Sequence, residues 1–241
     1  MNPLPKKTES ESDIQTKFVK RLTLGGWYCL RTHGNAYQAG FPDLYVAHKR
    51  YGTRWIEIKK IVGSRFTQSQ IDVFTAFSSK DIGVWVITGY TEYEERKLFA
   101  SANWHTFLKG GIDLNHNIPR IKKFGPEAVI QDGIIASLTQ NCGCKAQPAC
   151  REHATRNWFC LETYGSMFQS GFPDIYCCHK LFGGRWIECK NPKSYKFTPA
   201  QVDVFPRLAA EGVPIHVLVD SSDWELNKLF GPANWHTYMW K

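Results

Sequence analysis

At 241 residues and 27.7 kDa, 43% hydrophobic and 22% charged, the chain has the length of one large domain or two small ones and the composition of a folded protein, not a disordered one. Thirty Lys and Arg against 22 Asp and Glu leave a formal charge of +8 and a pI near 9.0, which favours a polyanionic partner such as nucleic acid. No stretch approaches the roughly 20 apolar residues of a membrane helix, and Met1 to Asp13 is polar, unlike a secretory signal, so a soluble, intracellular, cytoplasmic protein is expected.

In chain order, Ile14, Phe18 and Leu22 recur at helical spacing after Ser12-Asp13, and Gly25-Gly26 ends that helix. A strand follows from Trp27 to about Thr32. Leu44 to Lys49 and Arg54 to Lys60 are rich in β-formers, and Arg50-Tyr51-Gly52-Thr53 between them predicts a hairpin. Thr67-x-x-Gln70 and Thr91-x-x-Glu94 have the pattern of capping boxes opening two further helices, with a strand from Val84 to Thr88 between them. The order α, β, β, β, α, β, α places the chain in the α/β class, with a mixed sheet flanked by helices.

The same order then returns. GFPDLY at Gly40 to Tyr45 reappears as GFPDIY at Gly171 to Tyr176, an offset of 131. That offset also carries Trp27 to Trp158, Arg54-Trp55-Ile56-Glu57 to Arg185-Trp186-Ile187-Glu188, Lys59 to Lys190, and Ala102-Asn103-Trp104-His105-Thr106 to Ala233-Asn234-Trp235-His236-Thr237. About 35 of about 80 gap-free positions are identical, too many for chance, and a period of this length is a duplicated domain, not a solenoid repeat. The expected organisation is a first domain over 1–107, a linker over 108–126 rich in Gly, Asn and Lys, and a second domain over 127–241. The second copy has its own capping patterns, Thr198-x-x-Gln201 and Ser222-x-x-Glu225, and a Cys-rich insert near Cys142 to Cys150 that the first lacks.

The chemistry concentrates on the hairpin. Asp43 precedes its first strand, while Glu57 and Lys59 lie two apart on the second and project from one face. Two carboxylates and a lysine on one face can hold a hard divalent ion beside a phosphate, with oxygens on the metal and the cation on the anion. For Asp43 to share that face, Asp43 is expected opposite Lys59 and Tyr45 opposite Glu57, leaving a three-residue loop at Arg50-Tyr51-Gly52 whose last residue is left-handed. Gly183 takes that place in copy two. A solvated surface hairpin is the bland alternative. It loses ground because Gly-Phe-Pro-Asp, Glu-x-Lys and the following Gln are kept in both copies while other positions drift.

Gly-Phe-Pro-Asp, then Trp-Ile-Glu-x-Lys, then Thr-x-x-Gln and a following strand resembles the virus-type replication-repair nuclease (VRR-NUC) branch of the PD-(D/E)xK superfamily. The resemblance runs from about Glu11 to Thr88 and from about Trp158 to Val219. It implies two tandem restriction-endonuclease-like domains that hydrolyse phosphodiester bonds in line with Mg²⁺ or Mn²⁺. By the same resemblance Asp43 and Glu57, and Asp174 and Glu188, bind the metal. Lys59 and Lys190 orient the attacking water or stabilise charge on the phosphorane, and Gln70 and Gln201 support the site from the helix. Those two glutamines have an equal claim as the third residue of their capping boxes. The family also expects an acidic residue on the first helix, which Glu11 supplies. In copy two the aligned position is Cys142, and Glu127, at the head of Ala128 to Leu138, is the substitute if the Cys-rich segment is an insertion; full activity of the second site turns on this. Relatives acting as dimers on branched DNA suggest a Holliday-junction or branch-resolving role for a monomer acting as a pseudo-dimer, in the cytoplasm, that of a virus-infected cell included. The alternatives are a nuclease that degrades or nicks linear, flapped or foreign DNA, and a catalytically silent nucleic-acid binder.

Weaker signals accompany these. Cys142, Cys144, Cys150 and His153 have a spacing that could close a structural Zn²⁺ site, or they are a loop of unligated thiols. Cys29, Cys160, Cys177, Cys178 and Cys189 sit in strand-like apolar runs and read as reduced, small hydrophobes. His33, His48 and His179 are expected near the sites, mostly as structural residues. Lys6, Lys7, Lys49, Arg50, Arg65, Lys122, Lys123, Lys193 and Lys196 are candidate phosphate contacts.

Overall fold

The computed structural model of the chain describes residues 9–32, 39–60, 65–107, 125–140, 156–163, 170–193 and 195–239. The candidate zinc ligands Cys142, Cys144, Cys150 and His153, most of the linker, His33, Lys6, Lys7, Lys122 and Lys123 lie outside them. The chain divides into two compact units, Met1–Ser78 with Gly83–Pro119 and Ser79–Ile82 with Arg120–Lys241.

In the first unit, helix α1 (Glu11–Leu24) begins earlier than its apolar spacing predicts, because Ser10, not Ser12, is its N-cap. Ser10 Oγ accepts from Asp13 N at 3.1 Å and Asp13 Oδ2 accepts from Ser10 N at 3.0 Å, a reciprocal capping box. Strands β1 (Tyr28–Arg31), β2 (Leu44–His48), β3 (Gly52–Ile58) and β4 (Val84–Ile87) form a sheet in the order β1-β2-β3-β4. The first three are antiparallel and β4 is parallel to β3, which requires the crossover made by α2 (Gln68–Ser79). The mixed sheet expected from the pattern is therefore present. Its central strands are buried on both faces, so β2 reads as a continuous apolar run without alternation.

One face packs Leu44, Val46, Ile56, Ile58 and Ile87 against Ile14, Phe18 and Leu22 of α1. The alternate residues turn the other way, where Trp55 lies 4.8 Å from Tyr45 and 5.6 Å from Phe77 of α2, ring centre to ring centre. Glu57 has the parity of Trp55 and so belongs to the α2 side. A short helix α3 (Glu92–Arg96) follows β4. Thr91 is its N-cap by position only, since its side chain makes no capping hydrogen bond. Glu94 instead accepts from Thr88 N at 2.8 Å and is paired with Lys97 at 2.7 Å, so the capping box predicted there does not form. The repeated Ala-Asn-Trp-His-Thr segment closes the edge of the sheet: Asn103 Oδ1 accepts from Val86 N at 2.6 Å and its Nδ2 donates to Val86 O at 3.2 Å, so one amide side chain replaces a neighbouring strand.

The second unit repeats the plan with α4 (Pro126–Thr139), β5 (Phe159–Glu162), β6 (Ile175–His179), β7 (Gly183–Cys189), α5 (Pro199–Ala210), β8 (Ile215–Leu218), α6 (Asp223–Leu226) and α7 (Trp235–Met239). Its sheet order is β5-β6-β7-β8, with β8 parallel to β7. Asn234 pairs with Val217 as Asn103 does with Val86. Ser222 caps α6 with its hydroxyl at 3.4 Å from Glu225 N, but Glu225 accepts from Val219 N, so here too the box is not reciprocal. No helix among the described residues is long and apolar enough to cross a membrane.

The hairpin register differs from the expected one by two residues. Tyr45 faces Trp55 and His48 faces Gly52, so the turn is Lys49-Arg50-Tyr51 and Gly52 opens β3. Continuing the ladder sets Asp43 opposite Glu57, not Lys59. A shift of two preserves parity, and so the predicted face survives although the predicted partners do not. Gly52 and Gly183 do adopt the left-handed backbone that marked the turn, with φ of 72° and 68°.

Candidate functional site

The site forms where β2 begins and β3 ends. Gly40 has φ of 94°, and a Cβ there would stand 2.4 Å from Ser69 O at the start of α2. Only glycine lets the Gly-Phe-Pro-Asp turn press this closely on the helix. Gly171 repeats the arrangement with φ of 92° and Ala200 O at 2.6 Å. The turn is fixed further by Thr32, whose N–H donates to Asp43 O at 3.0 Å and whose hydroxyl donates to Pro42 O. Asp43 then turns its carboxylate onto the neighbouring strand, Oδ2 accepting from Ile58 N at 2.7 Å. Asp174 does the same with Cys189 N at 2.8 Å.

Glu57 is 1% exposed. Its Oε1 accepts from Lys59 Nζ at 2.6 Å and from Gln70 Nε2 at 2.5 Å. In copy two, Glu188 Oε1 receives Lys190 Nζ and Gln201 Nε2, both at 2.7 Å. The structure thus brings together Asp43, Glu57, Lys59 and Gln70, and again Asp174, Glu188, Lys190 and Gln201. It also unites the two readings of the glutamines. Gln70 Oε1 accepts from Thr67 N at 3.0 Å while its NH₂ reaches Glu57, so one side chain caps the helix and holds the carboxylate. Gln201 does the same with Thr198 N at 3.1 Å.

The second oxygen of each glutamate, Glu57 Oε2 and Glu188 Oε2, is buried and receives no hydrogen bond among the described residues. A buried anionic oxygen without a donor is costly, and the cost appears in the acidity. Burial, reinforced by the charge of Asp43 and opposed by Lys59 and Gln70, raises the Glu57 carboxyl to about 8. Burial and Asp174 raise Glu188 in the same way. Burial alone would lower Lys190, but the carboxylates of Glu188, Glu127 and Asp174 outweigh it and raise the ammonium above its ordinary value. A divalent cation held by Asp43 and Glu57 would offset the repulsion between their charges. Among the described residues no three His, Cys, Asp or Glu side chains gather to hold a metal by themselves. Two carboxylates are nonetheless the usual protein share for Mg²⁺, which keeps waters and substrate oxygens in the rest of its shell, so the donor set fits that ion.

Glu11, the first residue of α1, accepts from Lys60 N at 3.2 Å, just beyond Lys59. Glu127 on α4 accepts from Asn191 N at 3.4 Å. Glu127 is therefore the counterpart of Glu11, and the constant offset that set Cys142 against Glu11 fails at this helix. One residue pair was missed by sequence reasoning. Gln15, one turn after Glu11, is 1% exposed, with its NH₂ 3.4 Å from Asp43 O, and Gln131 holds the same place in α4 at 4% exposed. Glu-x-x-x-Gln in both helices was the available signal, hidden because the helices align at an offset of 116.

His48 and His179 belong elsewhere. His48 ends β2 at the turn, about 16 Å along the strand from Asp43, where it packs on Trp27 and Tyr51 and its Nδ1 accepts from Arg50 N at 3.0 Å. His179 repeats this with Trp158, Phe182 and Leu181 N. Of the candidate phosphate contacts, Lys49, Arg50, Arg65, Lys193 and Lys196 are exposed. Comparison of the chain with protein-family models, with curated proteins and with solved structures finds no match.

Proposed function

We propose that this chain is a divalent-metal-dependent DNA endonuclease that hydrolyses phosphodiester bonds at two sites, with Mg²⁺ or Mn²⁺ as cofactor and branched DNA as its preferred substrate. The observation that carries the reading is a carboxylate pair built twice, in which a buried glutamate keeps one oxygen on lysine and glutamine, leaves the other buried without a donor, and feels the charge of the aspartate beside it. A protein that only bound nucleic acid would gain nothing from burying such a pair, because each carboxylate raises the cost of the other. The resemblance to the VRR-NUC branch of the PD-(D/E)xK superfamily supports the same chemistry, and the charge of +8 suits the substrate.

In this mechanism Asp43 and Glu57 hold the ion, which when bound lowers the pKa of a coordinated water and offsets charge on the phosphate. Lys59, beside Glu57 at the strand end, donates hydrogen bonds to the oxygen on which charge builds in the transition state. Gln70 fixes Glu57, and Glu11 fixes the main chain just past Lys59. Copy two assigns these tasks to Asp174, Glu188, Lys190, Gln201 and Glu127. Two sites in one chain suit a substrate that must be cut twice, which is the argument for a four-way junction.

The test is incubation with four-way-junction, flap and linear DNA and with a matched RNA, in Mg²⁺ and in chelator, for the parent and for Glu57→Gln with Glu188→Gln. Metal-dependent cleavage that disappears in the double variant, with binding kept, is expected. Undiminished cleavage by the variant, or none of any substrate by the parent, refutes the proposal, and equal rates on junction and linear DNA refute the branched preference alone.

A further inference from the structure

We propose that Phe66 and Phe197 are positioning residues for the site lysines, each presenting its ring face to the ammonium so that Lys59 or Lys190 keeps its place when the neighbouring glutamate is engaged by a metal. The inference rests on the metal-dependent reading above and adds residues that neither the motif nor the repeat singled out. Phe66 is half-buried and packs edge-on against Phe74, with ring centres 5.5 Å apart at 75°. Lys59 Nζ lies 5.4 Å from its centroid. In copy two Phe197 meets Phe205 at 6.0 Å and 80°, with Lys190 Nζ 5.1 Å from the ring centre. Both distances lie inside the range of a cation–π contact.

The local sequence separates this role from simple packing. The five residues before Phe66, Ile61-Val62-Gly63-Ser64-Arg65, are all different before Phe197, where they read Pro192-Lys193-Ser194-Tyr195-Lys196, yet the phenylalanine is kept. Its position just ahead of the capping threonine is that of a hydrophobic staple, which any large aliphatic residue would satisfy. The ring serves the steep contact with Phe74 or Phe205, and its face carries the ammonium as well, an interaction that an aliphatic residue cannot make. Glu57 Oε1 holds the ammonium at 2.6 Å, and Gln70 Oε1 stands 3.5 Å away. Once a divalent ion shares the charge of Glu57, that attraction weakens and the ion repels the ammonium. The ring face is a partner whose attraction does not change on loading, and it stops the lysine from swinging away from the phosphate.

The experiment uses the full chain and two independent readouts. In the metal-free protein, the Lys59 ε-methylene proton resonance, assigned with Lys59→Met, is expected at high field under the Phe66 ring current. It should move to its ordinary position in Phe66→Leu and stay shifted in Phe66→Tyr. In a Glu188→Gln background, Phe66→Leu is expected to lower kcat on junction DNA about three- to thirty-fold with KM unchanged, and Phe66→Tyr to restore it to within about twofold. The thermal midpoints of both variants should match. An unshifted Lys59 resonance in the parent, or a Leu variant with the parent's kcat, overturns the proposal. Should Phe66→Leu fail to fold, Phe66→Met takes its place. A parent without nuclease activity would sink the functional reading, and the resonance measurement then decides the placement of Lys59 by itself.

Discussion

Replacing Glu57 by Gln is expected to stabilise the metal-free protein at alkaline pH while removing the metal-dependent activity of the first site. The Glu57 carboxyl is raised from 4.5 to about 8, first by burial and then by the charge of Asp43. A group whose folded value lies above its unfolded value binds its proton more tightly in the folded state. Its contribution is fully present below pH 4.5 and is lost as pH rises through about 8. The full interval corresponds to a ceiling of about 5 kcal/mol for this site, large against a typical domain stability of about 5–15 kcal/mol. Glutamine keeps the shape and cannot ionise, so the loss should vanish in the variant. Urea unfolding in chelator at pH 5.5 and 8.5, followed for parent and variant, isolates the effect, because titrating groups that do not interact with Glu57 cancel in the difference. In a Glu188→Gln background, where only the first site can load, Mg²⁺ should recover stability at pH 8.5, by about 2.7 kcal/mol at a hundred times its dissociation constant, and adding Glu57→Gln should abolish that gain. Parallel pH dependences for parent and variant, or a parent in chelator that becomes more stable toward pH 8.5 relative to the variant, would refute the buried-carboxylate argument.

Three further outcomes follow from the same structure. His216 is fully buried and its imidazole is lowered to about 4, by burial and by Arg185, so its contribution is present above pH 6.5 and lost as pH falls through 4; His216→Trp, the residue type that copy one has at Trp85, should remove the acid sensitivity of the second unit in thermal melts, and an unchanged acid limb would exclude the assignment. Gly40→Ala should cost at least about 1–2 kcal/mol from its left-handed backbone alone, with the overlap on Ser69 O added and cleavage lost at the first site; a variant within about 0.5 kcal/mol of the parent in urea melts would show that the turn is not constrained as described. DNA affinity should fall linearly in log–log terms with salt as Lys and Arg displace counterions, and a flat salt titration by fluorescence anisotropy would count against a nucleic-acid partner.

Most of the fold was legible because it is written in local terms. The apolar spacing of Ile14, Phe18 and Leu22, the Thr-x-x-Gln caps and the Gly-Phe-Pro-Asp turn each state their structure within a few residues. The site was legible because Glu57 and Lys59 are two apart on a strand, which fixes their common face whatever the register. The register itself was not. The left-handed Gly52 fits equally well as the last residue of the turn or the first of the strand, and only pairing across the sheet distinguishes them. The Thr91 cap failed for a related reason: Glu94 had a better partner in Thr88 N, made available by the end of β4, which no window around Thr91 reveals.

The second copy's first helix shows how a single change of offset alters a functional conclusion. At the offset of 131 that the strands keep, Glu11 meets Cys142, and the second site lacks an aligned carboxylate; on that basis Glu57→Gln alone should cost more activity than Glu188→Gln alone. The helices instead match at 116, Glu11 with Glu127, Gln15 with Gln131 and Leu22 with Leu138, while Lys60 and Asn191, which Glu11 and Glu127 contact, still match at 131. The second helix therefore meets its sheet at the same place, and the added length of copy two falls between Thr139 and Phe159. With that, the reason for unequal sites is gone. Each single variant is expected to lose the same share of activity and, on a supercoiled cruciform plasmid, to convert the parent's paired cuts into nicks, because each site then acts on one strand. Glu127→Gln should weaken the second site as Glu11→Gln weakens the first, in a background where the other site is disabled. A Glu127→Gln variant that cleaves at the parent's rate while Glu11→Gln does not would show that the two helices share a position without sharing a role.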